Sequence, residues 1–144
     1  MSNAYALGLR RCIQSNQTDI PTLSGQFALN CDYNAGGCQG ATIPEALDWL
    51  RDYGVTTTKC DPWKGKEGPC RWPSAEANGC SFYKCGEIRY MTTEFDIKLA
   101  ILSIGPVVTQ MSVYEDFTAY KKGIYYHIGG DFMFTHAVTI YGWG

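Results

Sequence analysis

Residues Phe134–Gly144 read Phe-Thr-His-Ala-Val-Thr-Ile-Tyr-Gly-Trp-Gly. A histidine stands ahead of an apolar run, Ala137-Val138-Thr139-Ile140-Tyr141, which contains no Gly or Pro and stops at Gly142-Trp143-Gly144. Two or more β-branched residues in a short uninterrupted run predict a buried strand entered through a polar residue. On its own, a histidine at a strand entrance is most often a hydrogen-bonded structural residue. What surrounds it changes that reading.

Working back from this stretch, Val107–Val113 is a second strand rich in β-branched residues, set off by the break Gly105-Pro106. Tyr114–Tyr120 predicts a turn or short helix, Gly123–His127 another strand, and Gly129-Gly130 the turn into the histidine strand. Thr93–Ile104 has helical spacing, and Ile88–Met91 reads as the start of a strand. Residues 3–14 predict a helix closed by polar Gln14–Asp19, and Ser24 is placed to cap a short helix. Pro44–Tyr53 is the clearest helix, with Pro44 and Glu45 in its first turn and Gly54 as its stop. Between Val55 and Gly86 there is little periodicity; Pro62, Pro69, Pro73 and Cys60, Cys70, Cys80 and Cys85 predict loops held by cross-links. Helices first and antiparallel strands last predict an α+β fold in one domain, with 1–86 helical and loop-rich and 87–144 antiparallel β.

Composition narrows the function. The 144 residues are 45% apolar and 18% charged, which suits a packed core and not a disordered chain. A net charge of −2 gives no basic stripe, so nucleic acid is not an expected partner. No apolar run is long enough for a membrane span, and Met1–Arg11 lacks the order of a signal peptide. Seven cysteines, Cys12, Cys31, Cys38, Cys60, Cys70, Cys80 and Cys85, point to disulfides and an oxidising compartment. Asn16-Gln17-Thr18 fits the N-glycosylation pattern and points the same way. An odd count leaves at least one cysteine free or paired outside these residues. The spacings Cys31-x6-Cys38 and Cys80-x4-Cys85, with no histidine nearby, suit a zinc site poorly, and no metal or other cofactor is expected. Asp19, Asp32, Glu45, Asp48, Glu94 and Asp96 share no motif and read as solvated surface; Glu115-Asp116 reads as a cap. Tyr114, Phe117, Tyr120, Tyr125, Tyr126 and Tyr141 read as core packing, and His127, without a partner motif, as structural.

Gly105-Pro106-Val107, Ser112–Phe117, Tyr120–Tyr125 and His136–Gly144 occur in an order and spacing that resemble papain-family cysteine peptidases, most closely the cathepsin-B-like members. Gly37-Cys38-Gln39-Gly40-Ala41 resembles that family's GCNGG loop, with Gln39 and Ala41 departing from it. The resemblance implies a papain-like fold, peptide or protein as substrate, and a lysosomal, vacuolar or secreted location. It implies His136 as the imidazole of a Cys-His pair, with Gly40, Ala41 and Ala137 lining the substrate groove. It implies that Ala4–Ile13 corresponds to the later turns of the central helix. The nucleophile then falls about one turn, roughly 3–4 residues, before Met1, and the orienting Asn beyond Gly144, a domain truncated at both ends. A nucleophilic role for Cys38 is the weaker alternative. The cathepsin B arrangement implies disulfides Cys31–Cys80 and Cys60–Cys85, leaving Cys70 over; a simpler papain-like arrangement pairs Cys31 with Cys70. Cys12 and Cys38 would pair with cysteines before Met1. Each link contributes about 2–4 kcal/mol. No occluding loop with paired histidines is evident in Asp61–Asn78, which disfavours carboxydipeptidase activity. The expectation is a peptidase segment inactive on its own. The competing expectations are a non-catalytic scaffold or interaction subunit working with a partner chain and, last, a cysteine-rich metal module.

Overall fold

A computed structural model describes residues 1–144. Five α-helices precede or flank one two-stranded sheet: α1 Ser2–Gln14, α2 Gly25–Cys31, α3 Ile43–Asp52, α4 Trp72–Ala77 and α5 Glu94–Ser103, then β1 Val107–Tyr114 and β2 Phe132–Ile140.

The helical part is organised around Phe27, which has no exposed surface. Ser24 makes this possible locally. Its hydroxyl accepts the Phe27 N–H at 2.9 Å and donates to the Asp61 carbonyl at 2.6 Å, so one side chain both starts α2 and ties it to the loop crossing beneath. Phe27 meets Trp72 at 5.5 Å and Trp49 at 6.3 Å between ring centroids, and Trp72 stacks on Phe82 at 4.8 Å. Leu23, Leu50, Val55 and Ala4 complete the cluster. Helix α3 starts one residue earlier than its Pro44 suggests, because Thr42 and Glu45 form a capping box in which each side chain satisfies the other's backbone N–H.

The cross-links correct one expectation. Cys31 is bonded to Cys70 and Cys60 to Cys80, while Cys85 is a free thiol along with Cys12 and Cys38. The pairings Cys31–Cys80 and Cys60–Cys85 are therefore overturned, and the simpler Cys31–Cys70 link is the one formed. Helix α4 supplies the reason. Gly79 (φ 69°) ends it just before Cys80, and its Trp72 packs into the Phe27 cluster directly after Cys70. That anchoring sets Cys70 against the C-terminal residue of α2. The loop-rich region thus contains a helix of its own. Two isolated bridges, Leu23 with Thr57 and Val55 with Tyr83, bind the rest of it to the core.

On the other side, Thr93 caps α5 by accepting the Asp96 N–H at 3.1 Å, and the Glu94–Lys98 pair at 2.6 Å reinforces its exposed face. Gly105 then turns the chain at φ 112°, with a hypothetical Cβ only 2.9 Å from Ile13 Cδ1 of α1. Only glycine fits that close approach and that backbone angle. Beside it, Arg10 Nε donates to the Pro106 carbonyl at 2.7 Å. Strands β1 and β2 run antiparallel, from Val107 opposite Ile140 to Met111 opposite His136 and Val113 opposite Phe134, with a bulge at Val113/Tyr114. After β2 the chain returns toward α5, where Lys98 Nζ lies 5.9 Å from the Trp143 ring centroid.

Two predicted strands are absent. Ile88–Met91 and Gly123–His127 are irregular. Around the second, the Asp116 carboxylate accepts the Tyr125 hydroxyl at 2.7 Å and, just past the segment, the N–H groups of Ile128 at 2.8 Å and Gly129 at 3.3 Å. These side-chain-mediated bonds tie the segment to the turn carrying Asp116 as a loop. Asp116 is consequently held well below the usual carboxylate range, first by the Ile128 N–H and then by the Tyr125 hydroxyl. Tyr125 is pushed up to about 12, by burial and then by that carboxylate.

Candidate active site

His136 lies inside β2 and not at its entrance, since the strand begins four residues earlier at Phe132. The additional residues pair Phe134 with Val113 and Thr135 with Ser112, so the sheet extends past the imidazole on both sides. The strand is half-exposed: His136 is solvent-accessible and only Ala137–Ile140 are partly covered. This departs from the fully buried strand that the apolar run suggests.

What covers that second half of β2 is the first turn of α1. Ser2 Oγ donates to the carbonyl of Ala137 at 2.6 Å, and Thr139 Oγ1 donates to the carbonyl of Ser2 at 3.3 Å. This reciprocal clasp joins residues 135 positions apart. It sets the N-terminal end of α1, with its uncapped N–H groups, beside the residue that follows His136. A helix N-terminus carries partial positive charge and lowers the pKa of a thiol placed there.

Gly40 and Ala41 lie at the exit of a 3₁₀ turn, Gly37–Gln39, and lead straight into the Thr42 cap of α3. The turn is closed by Gly36 N–H to the Gly40 carbonyl at 2.9 Å, and the Cys38 N–H donates to the Glu67 carboxylate. Gly40 has φ 99° and open space around its missing side chain, so its backbone faces solvent unobstructed. Such a surface can hydrogen-bond an extended peptide.

The three free thiols are held elsewhere. Cys12 sits on the last turns of α1, ten residues on from Ser2, or about 15 Å along the axis. Cys38 is exposed on the 3₁₀ turn. Cys85 donates to the Leu47 carbonyl at 3.5 Å, and burial pushes its thiol up, which makes it less nucleophilic at neutral pH. It borders two adjoining clefts of about 450 and 540 Å³ that also share Leu7, Arg10, Gln14 and Glu87; His136 lines neither. No three His, Cys, Asp or Glu side chains are gathered as metal ligands would be. His127, without an evident partner in sequence, proves to have two. It contacts Asp116 at 3.2 Å and stacks on Tyr114 at 3.8 Å between ring centroids. The signal was the Asp116 spacing, eleven residues upstream across a loop, which no local pattern exposes.

A histidine on an antiparallel strand, next to a residue clasped to the start of a helix, belongs to an α+β fold. The sequence matches the papain family cysteine protease profile over residues 1–144, and the chain belongs to that family. It is 30% identical to Cathepsin B-like CP3 of Giardia intestinalis, covering 99% of this chain and 50% of that one. It is 31% identical to human Tubulointerstitial nephritis antigen-like, covering 99% and 38% respectively. Among solved structures, proCathepsin B S9 from Trypanosoma congolense superimposes with a TM-score of 0.83 at 28% identity, covering 99% of this chain and 51% of that one. The chain spans about half, or less, of the length of these relatives.

Proposed function

We propose that these residues supply the imidazole, His136, and the groove floor, Gly40 and Ala41, of a cathepsin-B-like cysteine peptidase site, and that its thiol comes from outside them. The observation that carries this is the Ser2–Ala137 clasp. A Cys-His pair needs sulfur and imidazole within about 3–4 Å and the sulfur near positive potential. The clasp, which ties the start of α1 to the residue after His136, supports that relation, whereas Cys12, Cys38 and Cys85 are attached elsewhere.

In this reading the thiolate attacks the scissile carbonyl carbon and the carbonyl electrons move onto oxygen. His136, as imidazolium, then delivers its proton to the leaving amine as the C–N bond breaks. Acting as base, it next takes a proton from the water that hydrolyses the thioester. Gly40 and Ala41 hold the peptide through backbone groups, and Ala137 bounds the groove next to the imidazole. The setting is lysosomal, vacuolar or secreted, in keeping with the two disulfides.

The test is to incubate the isolated 144 residues with a fluorogenic dipeptide substrate and a thiol-reactive epoxide. No turnover and no labelling are expected. Adding an upstream segment with a cysteine about one helical turn before Met1 should produce both, and His136→Ala in that longer protein should abolish turnover. Labelling of Cys12, Cys38 or Cys85 together with turnover by the isolated chain would overturn the proposal. A second reading, a papain-like interaction subunit without hydrolysis, is favoured by one observation: a relative of equal similarity bears the name of an antigen and not of a peptidase. Failure of the extended protein to cleave, with its cysteine present and its fold intact, selects that reading.

A further inference from the structure

We infer that Asn16 is an N-glycosylation acceptor, modified by an oligosaccharide carried on a lipid diphosphate. Asn16-Gln17-Thr18 has the acceptor pattern, with no proline at its centre or directly after it. Patterns of this kind are uninformative when they lie in helices or cores. Here all three residues are exposed in the turn that ends α1. Asn16 and Gln17 take φ of 50° and 64°, the two central positions of a left-handed turn closed by Thr18 N–H to the Ser15 carbonyl at 3.2 Å. Asn tolerates that backbone region better than most non-glycine residues, so the acceptor sits exposed at the apex of a sharp reversal. Thr18 occupies the same turn, its hydroxyl donating to the Ser15 carbonyl at 2.6 Å.

Two more observations fit an attached sugar. The chain is closed by Cys31–Cys70 and Cys60–Cys80, bonds that persist in the oxidising compartments where this transfer takes place. And α1 has 13 residues, so the turn lies roughly 20 Å along its axis from the Ser2–Ala137 clasp, leaving His136 uncovered. A glycan there would instead shield the exposed Ile13 and Ile20 on either side of the turn.

The step balances without any further reactant. Asn16 Nδ2 forms a bond to the anomeric carbon of the reducing-end sugar, that carbon's bond to the phosphate oxygen breaks, the lipid diphosphate leaves, and Nδ2 loses one proton.

The experiment expresses the full chain behind a cleavable secretory leader in a eukaryotic cell, and isolates the protein from the cells that make it. Mass spectrometry then reads the peptide containing residues 12–18. Both samples should carry a discrete oligosaccharide mass on Asn16. Enzymatic release should convert that residue to aspartate. Asn16→Gln and Thr18→Ala should lose the sugar entirely, whereas Thr18→Ser should keep it. Because transfer occurs as the chain enters the lumen, variants that fold poorly are read equally well from chain retained inside the cell. A bare Asn16 in either wild-type sample, or sugar retained after Asn16→Gln, would overturn the assignment.

Discussion

The two sides of this molecule are held together in different ways. Around Phe27, side chains from α1, α2, α3 and α4 are interlocked, two disulfides close the surrounding loops, and Trp49, Leu50 and Val55 are at most 2% exposed. The sheet side has no comparable core. Val107 and Val113 are buried, but Phe132 is 55% exposed and Leu102 of α5 is 74% exposed. What fixes β1 and β2 in place is a short set of directed contacts with α1: Ser2 to Ala137, Arg10 to Pro106 and Gly105 against Ile13. Burial stabilises one side, and geometry at a seam orients the other. His136 is therefore placed by few interactions, while the most extensive burial lies elsewhere.

That contrast can be broken from either end. Phe27→Ala should have the largest effect, about 3–5 kcal/mol lost in denaturant unfolding, because the ring's removal leaves a cavity among Trp49, Trp72 and Phe82 that the cross-linked loops cannot collapse into. Equal destabilisation by truncating Phe132 would show the contrast to be false. Gly105→Ala should come next, at roughly 1–3 kcal/mol, since an L-residue at φ 112° is strained and its methyl meets Ile13. Hydrogen exchange should show the loss concentrated in β1 and β2, with α2 and α3 protected as before.

The smallest effect is one of pH. Asp116 is ionised in the folded chain to lower pH than in the unfolded one, because N–H and O–H donors surround its charge. Its contribution is thus fully present above the ordinary carboxylate value near 4 and is lost as pH falls through its lowered one. Amides of Ile128 and Gly129 should lose exchange protection as pH falls from about 4 through the lowered Asp116 value, ahead of the Phe27 region, and Asp116→Asn should bring that loss to neutral pH. Unchanged protection in the variant would remove Asp116 from the account.

Much of the helical side was legible in sequence because its determinants are local. The Ser24 cap and the Pro44–Glu45 start of α3 are decided within four or five residues. Helix α4 had local signals too, Pro73 in its first turn and Gly79 at its end, but they were outweighed by the surrounding cysteines, prolines and glycines. The disulfide partners depend on how α4 docks, which is a tertiary matter and not a spacing. Gly123–His127 has strand-like residues, yet its Tyr125 hydroxyl and the amides just after it are held by a carboxylate nine to thirteen residues upstream. For the candidate site, the resemblance singled out His136, while its position in the middle of β2 follows from the pairing of Thr135 and Phe134 with Ser112 and Val113. The clasp from Ser2 spans nearly the whole chain, and no pattern within a window could reveal it.

The two cystines also interleave along the chain, 31 to 70 and 60 to 80, so the stretch from 61 to 69 belongs to both rings. Residues 62–70 are all exposed. Hydrolysis of any single peptide bond in that stretch therefore yields two polypeptides that still travel together, doubly tethered, and separate only when reduced.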